Sequence, residues 1–173
     1  MTINSSESNG QPEPWLRGPI PQVHPLVMPV FFSFSLVRED LAKHAAGLSR
    51  EQVWQTIGRT SVGFHLKHLA GSVDRLTTYL MGGQLSEEQL RNLREEGHGS
   101  EEVQVLLEGV HRALADSEEK LRTLHPNSLY EERTVGRKGL PTSVIGLIVH
   151  IAEHTQRHLG QAVTLSQLAR QKI

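Results

Sequence analysis

SVGFHLKHLAGSVDRLTTYLM, residues 61–81, places Val62, Leu66, Leu69, Val73, Leu76 and Leu80 at steps of three and four. An α-helix repeats every 3.6 residues, so these side chains share one face and predict a long amphipathic helix. Gly82 and Gly83 follow directly and stop it, since glycine takes the left-handed conformation at helix ends without steric cost.

Working outward, three further segments carry the same period. Val30, Phe31, Phe34, Val37, Leu41 and Ala45 mark a helix from about residue 25 to Gly47, with Pro25 and Pro29 near its start, where a missing N–H costs least. Ser100, Glu101 and Glu102 read as the cap of a third helix carrying Val103, Leu106, Leu107, Val110, Leu114 and Leu121. The last begins near Thr142 and runs to about Arg170, with Val144, Leu147, Ile151, Leu159, Ala162, Val163 and Leu165 on its core face. Two shorter helices are signalled by caps. Ser49 precedes Glu51 and Gln52 in residues 48–57, and Ser86, Glu87, Glu88 and Gln89 open a run closed by Gly97 and Gly99. Residues 124–141 form a connection in which 130–134 read as a brief extended piece. The predicted class is all-α, a four-helix bundle with short accessory helices. Helix order and handedness stay open at this stage.

Residues 1–22 contain Pro12, Pro14, Pro19 and Pro21 among small polar residues, which predicts a flexible N-terminal arm. Trp15 and Leu16 are its candidates for packing onto the domain, which spans residues 23–173. No second domain or internal repeat is expected.

Composition excludes several kinds of chemistry. The 173 residues include no cysteine, so disulfides, cysteine nucleophiles and thiolate-held zinc or iron–sulfur sites are absent. The formal net charge is −1, against the cationic excess that binds nucleic acid or anionic membrane. Arg133, Arg137 and Lys138 make only a small basic patch. No apolar run approaches the ~20 residues of a membrane span, and the polar beginning does not read as a signal peptide. A cytoplasmic location is the expectation.

Ten histidines are the unusual feature. His154 and His158 lie four apart on the last helix, about 40° apart around its axis, so both rings can address one point. Such pairs bind metal in zinc enzymes, and they also occur as solvated surface pairs. A third ligand can come from residues 61–81, where His65 and His68 are three apart and the apolar pattern favours His68. Three imidazoles around one divalent ion leave positions open, as in reactive rather than closed sites. His150 extends the row on the last helix. Histidines 24, 44, 98, 111 and 125 read as ordinary surface residues.

Neighbours of these histidines have two readings each. Glu153 points about 100° away from His154 and reads as a surface or interface carboxylate. Asp74 is either an acceptor orienting a ligand imidazole or a surface partner of Arg75 or Lys67, the latter being favoured. Gln161 either hydrogen-bonds at the site or joins helices. Gly71, Gly146 and Gly160 suggest close helix packing, because mid-helix glycine costs up to ~1 kcal/mol relative to alanine. Arg75 and Arg137 are candidates for reaching an anionic substrate.

Two of these segments together resemble the DinB/YfiT-like superfamily of metalloenzymes. The resemblance rests on His68-Leu69-Ala70 with Asp74, and on His154-Thr155-Gln156-Arg157-His158 with Gly160-Gln161. It spans roughly residues 25–170. It implies a metal-binding bundle with His68, His154 and His158 as ligands, often a homodimer, with nickel or zinc as the ion. Some relatives are bacillithiol-dependent transferases and others mycothiol-dependent isomerases. The functional expectation is a metal-dependent transferase or hydrolase acting on a small molecule, with or without a low-molecular-weight thiol. The alternative is a non-catalytic dimeric bundle, an interaction module whose metal is structural or incidental. A nucleic-acid-binding role is the weakest, given the charge.

Overall fold

The computed structural model describes residues 11–171. Among them are six α-helices, α1 (Met28–His44), α2 (Arg50–Trp54), α3 (Val62–Leu80), α4 (Glu87–Glu95), α5 (Val103–Arg122) and α6 (Val144–Gln171). One antiparallel hairpin, β1 (Glu132–Val135) and β2 (Leu140–Ser143), precedes α6. The four long helices α1, α3, α5 and α6 form the bundle that the periodicity predicts.

Their order, open in the sequence, is set by packing. Helix α3 lies against both α5 and α6, α6 also covers α1, and α1 reaches α5. The stripes meet in one core. Phe34 and Leu41 of α1, Leu66 and Leu69 of α3, Leu114 of α5 and Ile151 of α6 are all fully buried. Burying such side chains contributes about 1.5–3 kcal/mol each before chain entropy is counted.

Local chemistry sets most boundaries. Ser61 Oγ accepts from Phe64 N at the start of α3, and Gly82 follows its end at φ +78°. Ser49 with Gln52, and Ser86 with Gln89, form complete capping boxes on α2 and α4. The start of α5 differs from expectation, because its N-cap is Glu102 and no side chain caps it. Glu101, in the expected cap, instead accepts from Lys67 Nζ at 3.1 Å. The connection before α6 is also more ordered than expected. The extended piece pairs with a second strand across a turn at Gly136 and Gly139, both at positive φ.

The arm expected over residues 1–22 falls partly outside the described residues. From residue 11 onward, Pro14 is buried and begins a 3₁₀ turn, while Trp15 and Leu16 stay 60% and 55% exposed. The Arg17 guanidinium grips Glu39 of α1 through two hydrogen bonds. No helix among the described residues is long and apolar enough to cross a membrane.

Candidate metal centre

Helices α3 and α6 lie side by side, so their histidines meet across one interface. His68, His154 and His158 each offer a ring nitrogen, and the three nitrogens lie within 4.8 Å of one another. The ring centroids stand 4.3 Å apart for His68 and His158, 4.6 Å for His154 and His158, and 5.2 Å for His68 and His154. All three side chains are half-buried, reachable from solvent yet shielded from most of it.

Two contacts orient the rings. His68 Nδ1 donates to Glu96 Oε2 at 2.6 Å, and Glu96 Oε1 accepts from Arg75 Nη1 at 2.6 Å. A carboxylate only accepts, so Nδ1 of His68 carries the proton and Nε2 keeps its lone pair in the neutral ring. That Nε2 lies 3.0 Å from His154 Nε2. On the other side, His158 Nδ1 and His65 Nδ1 share a hydrogen bond at 3.0 Å, and His65 Nε2 meets Thr60 Oγ1 at 3.2 Å. His65 therefore also turns inward, buried beneath His158. Phe64 stacks on the His68 ring and meets the His65 ring edge-on.

Burial, and then repulsion from a protonated neighbouring His68, pushes His154 down to about 4 and His158 down to about 3. The same two causes push His65 down to about 4. These imidazoles are neutral at physiological pH, with lone pairs available. His154 Nδ1 is buried and has no hydrogen-bond partner among the described residues. Neutral imidazoles converging from two helices are a donor set suited to a borderline divalent ion.

The sign of the pH effect follows from these directions. Unfolded histidines titrate near 6.5, whereas these folded ones resist protonation until about 3 to 4. The unfolded chain thus binds more protons in between, and stability is lost as pH falls through that window. Metal-free protein is expected to show a urea midpoint that drops steadily between about pH 7.5 and pH 5, with a shallower drop in His158→Ala. A midpoint flat over that range, in both proteins, contradicts the depressed imidazoles.

Other expectations meet the structure unevenly. Glu153 is the surface carboxylate expected, accepting from His150 Nδ1 at 2.7 Å and from Arg157 Nη2 at 2.6 Å. With His154 these form a second, more exposed group, His150, Glu153 and His154, within metal-ligating distance. Asp74 accepts from Gln89 Nε2 at 2.8 Å, while Lys67 and Arg75 pair with Glu101 and Glu96, and among the described residues Asp74 bonds to no imidazole. Gln161 is exposed on α6. Arg75 is corrected as a substrate-binding candidate, because it is buried and committed to Glu96. Arg137 sits exposed in the hairpin turn. The packing reason given for Gly160 is also corrected, since a Cβ there would meet nothing within 4 Å. At Gly146 the close neighbours are the Thr142 and Ser143 hydroxyls rather than a facing helix. Among the described residues none of histidines 24, 44, 98, 111 and 125 joins a metal-capable group. His24 and His125 accept backbone N–H groups two residues on.

Sequence reasoning missed Glu96 and Thr60. Glu96 lies 28 residues from His68, just after a helix that buries no residue of its own. The one signal for it was Gly71, where a Cβ would lie 2.5 Å from Glu96 Oε1 and 2.6 Å from Arg75 Nη1. The glycine on α3 leaves room for a buried ion pair, not for a neighbouring helix.

The family model described as the DinB superfamily matches residues 33–162, a span that includes all of α3 and the histidine row of α6. No curated protein matches the chain.

Proposed function

The chain belongs to the DinB superfamily, and from that membership we propose that it is a divalent-metal-dependent enzyme whose ion is held by His68, His154 and His158. The superfamily is a metal-binding one, and the three-histidine group is the observation that carries the reading. Nickel or zinc suits imidazole ligands at such a site. Bound there, either ion supplies Lewis acidity that makes water or a thiol nucleophilic at neutral pH.

The protein's own residues supply the setting. His65 and Glu96 hold the facing rings, and the hydrophobic wall of Phe64 limits solvent on one side. The chain has no cysteine, so a thiol nucleophile comes from a small cosubstrate. We therefore favour transfer of a low-molecular-weight thiol to a small electrophile, with hydrolysis of a small molecule as the variant that uses water instead. The proposed setting is a cytoplasmic homodimer.

A second reading, the dimeric interaction module, is favoured by one feature. An apolar groove runs between the arm, α1 and α6, lined by Pro14, Trp15, Phe32, Leu36 and Ala152 among others, and it leaves Trp15 mostly exposed. Chelation separates the two. Protein loaded with zinc or nickel is assayed against activated electrophiles with a panel of small thiols, before and after chelator treatment. Turnover that disappears on chelation and returns with metal, while the helical circular dichroism persists, supports the enzyme. No turnover with any thiol or with water, from fully loaded protein, rejects it in favour of the module.

A further inference from the structure

Helix α4 is an unusual passenger on the bundle. None of its residues is buried, and much of its attachment to α3 is polar. Gln89 Nε2 donates to Asp74 Oδ2 and Thr78 Oγ1, each at 2.8 Å. Beyond the helix, Lys67 Nζ donates to the carbonyl of His98 at 2.9 Å. Between these two ties sits Glu96, the C-cap of α4, only 4% exposed.

A buried carboxylate is costly unless it is paired and hydrogen-bonded. Glu96 meets both conditions by dividing its oxygens between the Arg75 guanidinium and the His68 Nδ1–H. The missing side chain of Gly71 leaves the space that the pair occupies. The anchoring point of a surface helix is thus the group that fixes the tautomer and orientation of a ring in the histidine cluster.

We propose that Glu96 is a positioning residue for His68, and that through it α4 is coupled to occupancy of the metal site. The inference rests on the three-histidine reading. A cation on Nε2 draws electron density from the imidazole and makes Nδ1–H a stronger donor to Glu96. Conversely, the carboxylate makes the imidazole a better ligand. Linkage requires the two effects to be equal, so whatever Glu96 adds to metal affinity, metal adds to the docking of α4.

The test uses the full chain with zinc as the probe. Zinc affinity is measured by chelator competition for the wild type, Glu96→Gln, Gly71→Ala and His154→Ala. Amide hydrogen exchange across residues 86–96 is followed with and without zinc, and circular dichroism checks the fold of each protein. Glu96→Gln is expected to weaken zinc binding by roughly 10–100-fold, as losing such a partner does elsewhere. Gly71→Ala keeps every ligand and the carboxylate, yet its added methyl displaces the pair, so it weakens zinc binding in the same direction. Zinc slows exchange across α4 in the wild type, and that slowing is lost in Glu96→Gln. Folded Glu96→Gln and Gly71→Ala proteins with wild-type zinc affinity, or α4 exchange indifferent to zinc, overturn the coupling. If His154→Ala abolishes zinc binding while Glu96→Gln leaves it intact, the metal site stands and only this inference fails. A wild type that binds no zinc removes both.

Discussion

His154→Ala is expected to give a folded, helical protein that has lost its affinity for divalent metal. The ring is half-buried, so its removal opens no sealed core cavity, and alanine favours helix at that position more than histidine does. It also deletes a buried nitrogen that has no hydrogen-bond partner among the described residues. Fold stability should therefore hold or rise slightly. Metal binding should behave oppositely. Removing one of three converging imidazoles leaves a bidentate site, and affinity should fall by more than the ~100-fold at the upper end for losing an outer partner. His68→Ala and His158→Ala should fall as far, by titration calorimetry with zinc. If His154→Ala binds zinc as the wild type does, the triad is not the site.

Phe34→Ala should show the reverse pattern. Phe34 is fully buried on α1, facing the core that α6 closes. Truncating a buried phenylalanine costs about 3–5 kcal/mol in lost transfer energy and residual cavity. Domains of this kind have only about 5–15 kcal/mol in total, so the urea midpoint should drop sharply. The fraction that stays folded should bind zinc normally, since the histidines sit on α3 and α6. A loss below about 1 kcal/mol would mean that α1 is not packed as described. Together the two variants separate fold from site.

The bundle was legible because its information is local. A buried face on α3 shows itself as Leu66, Leu69, Val73 and Leu80 at helical steps, and Ser61 and Gly82 mark where that helix starts and stops. The order of helices was not legible, because it depends on which stripes complement each other across tens of residues. The second strand of the hairpin was missed for a related reason. Leu140, Pro141, Thr142 and Ser143 form a short strand without a clear alternating pattern, whose pairing with Glu132–Val135 is decided by the Gly136 and Gly139 turn.

The site divides along the same line. His154 and His158 announce themselves by spacing on one helix, and His68 by its place beside a core leucine. The apolar pattern favoured His68 over His65 as the inward residue, and the structure shows that both turn inward, in different roles. His68 meets His154, whereas His65 lies behind His158. Glu96 was invisible because no periodicity ties it to His68, and a charged residue after a polar helix ordinarily faces water. Arg75 looked free for the complementary reason, that its partner arrives from a distant segment. Gly71 was the clue that a buried group needed space, and it was read instead as helix contact.

The most direct test of the metal centre is metal content by elemental mass spectrometry on untagged protein, beside His68→Ala and His154→Ala. The expected result is about one divalent ion per wild-type chain, as a single three-histidine site holds, and almost none in either variant. Wild-type protein that carries no metal, even after incubation with zinc and with nickel, would contradict the site and leave a helical bundle whose histidines serve another purpose.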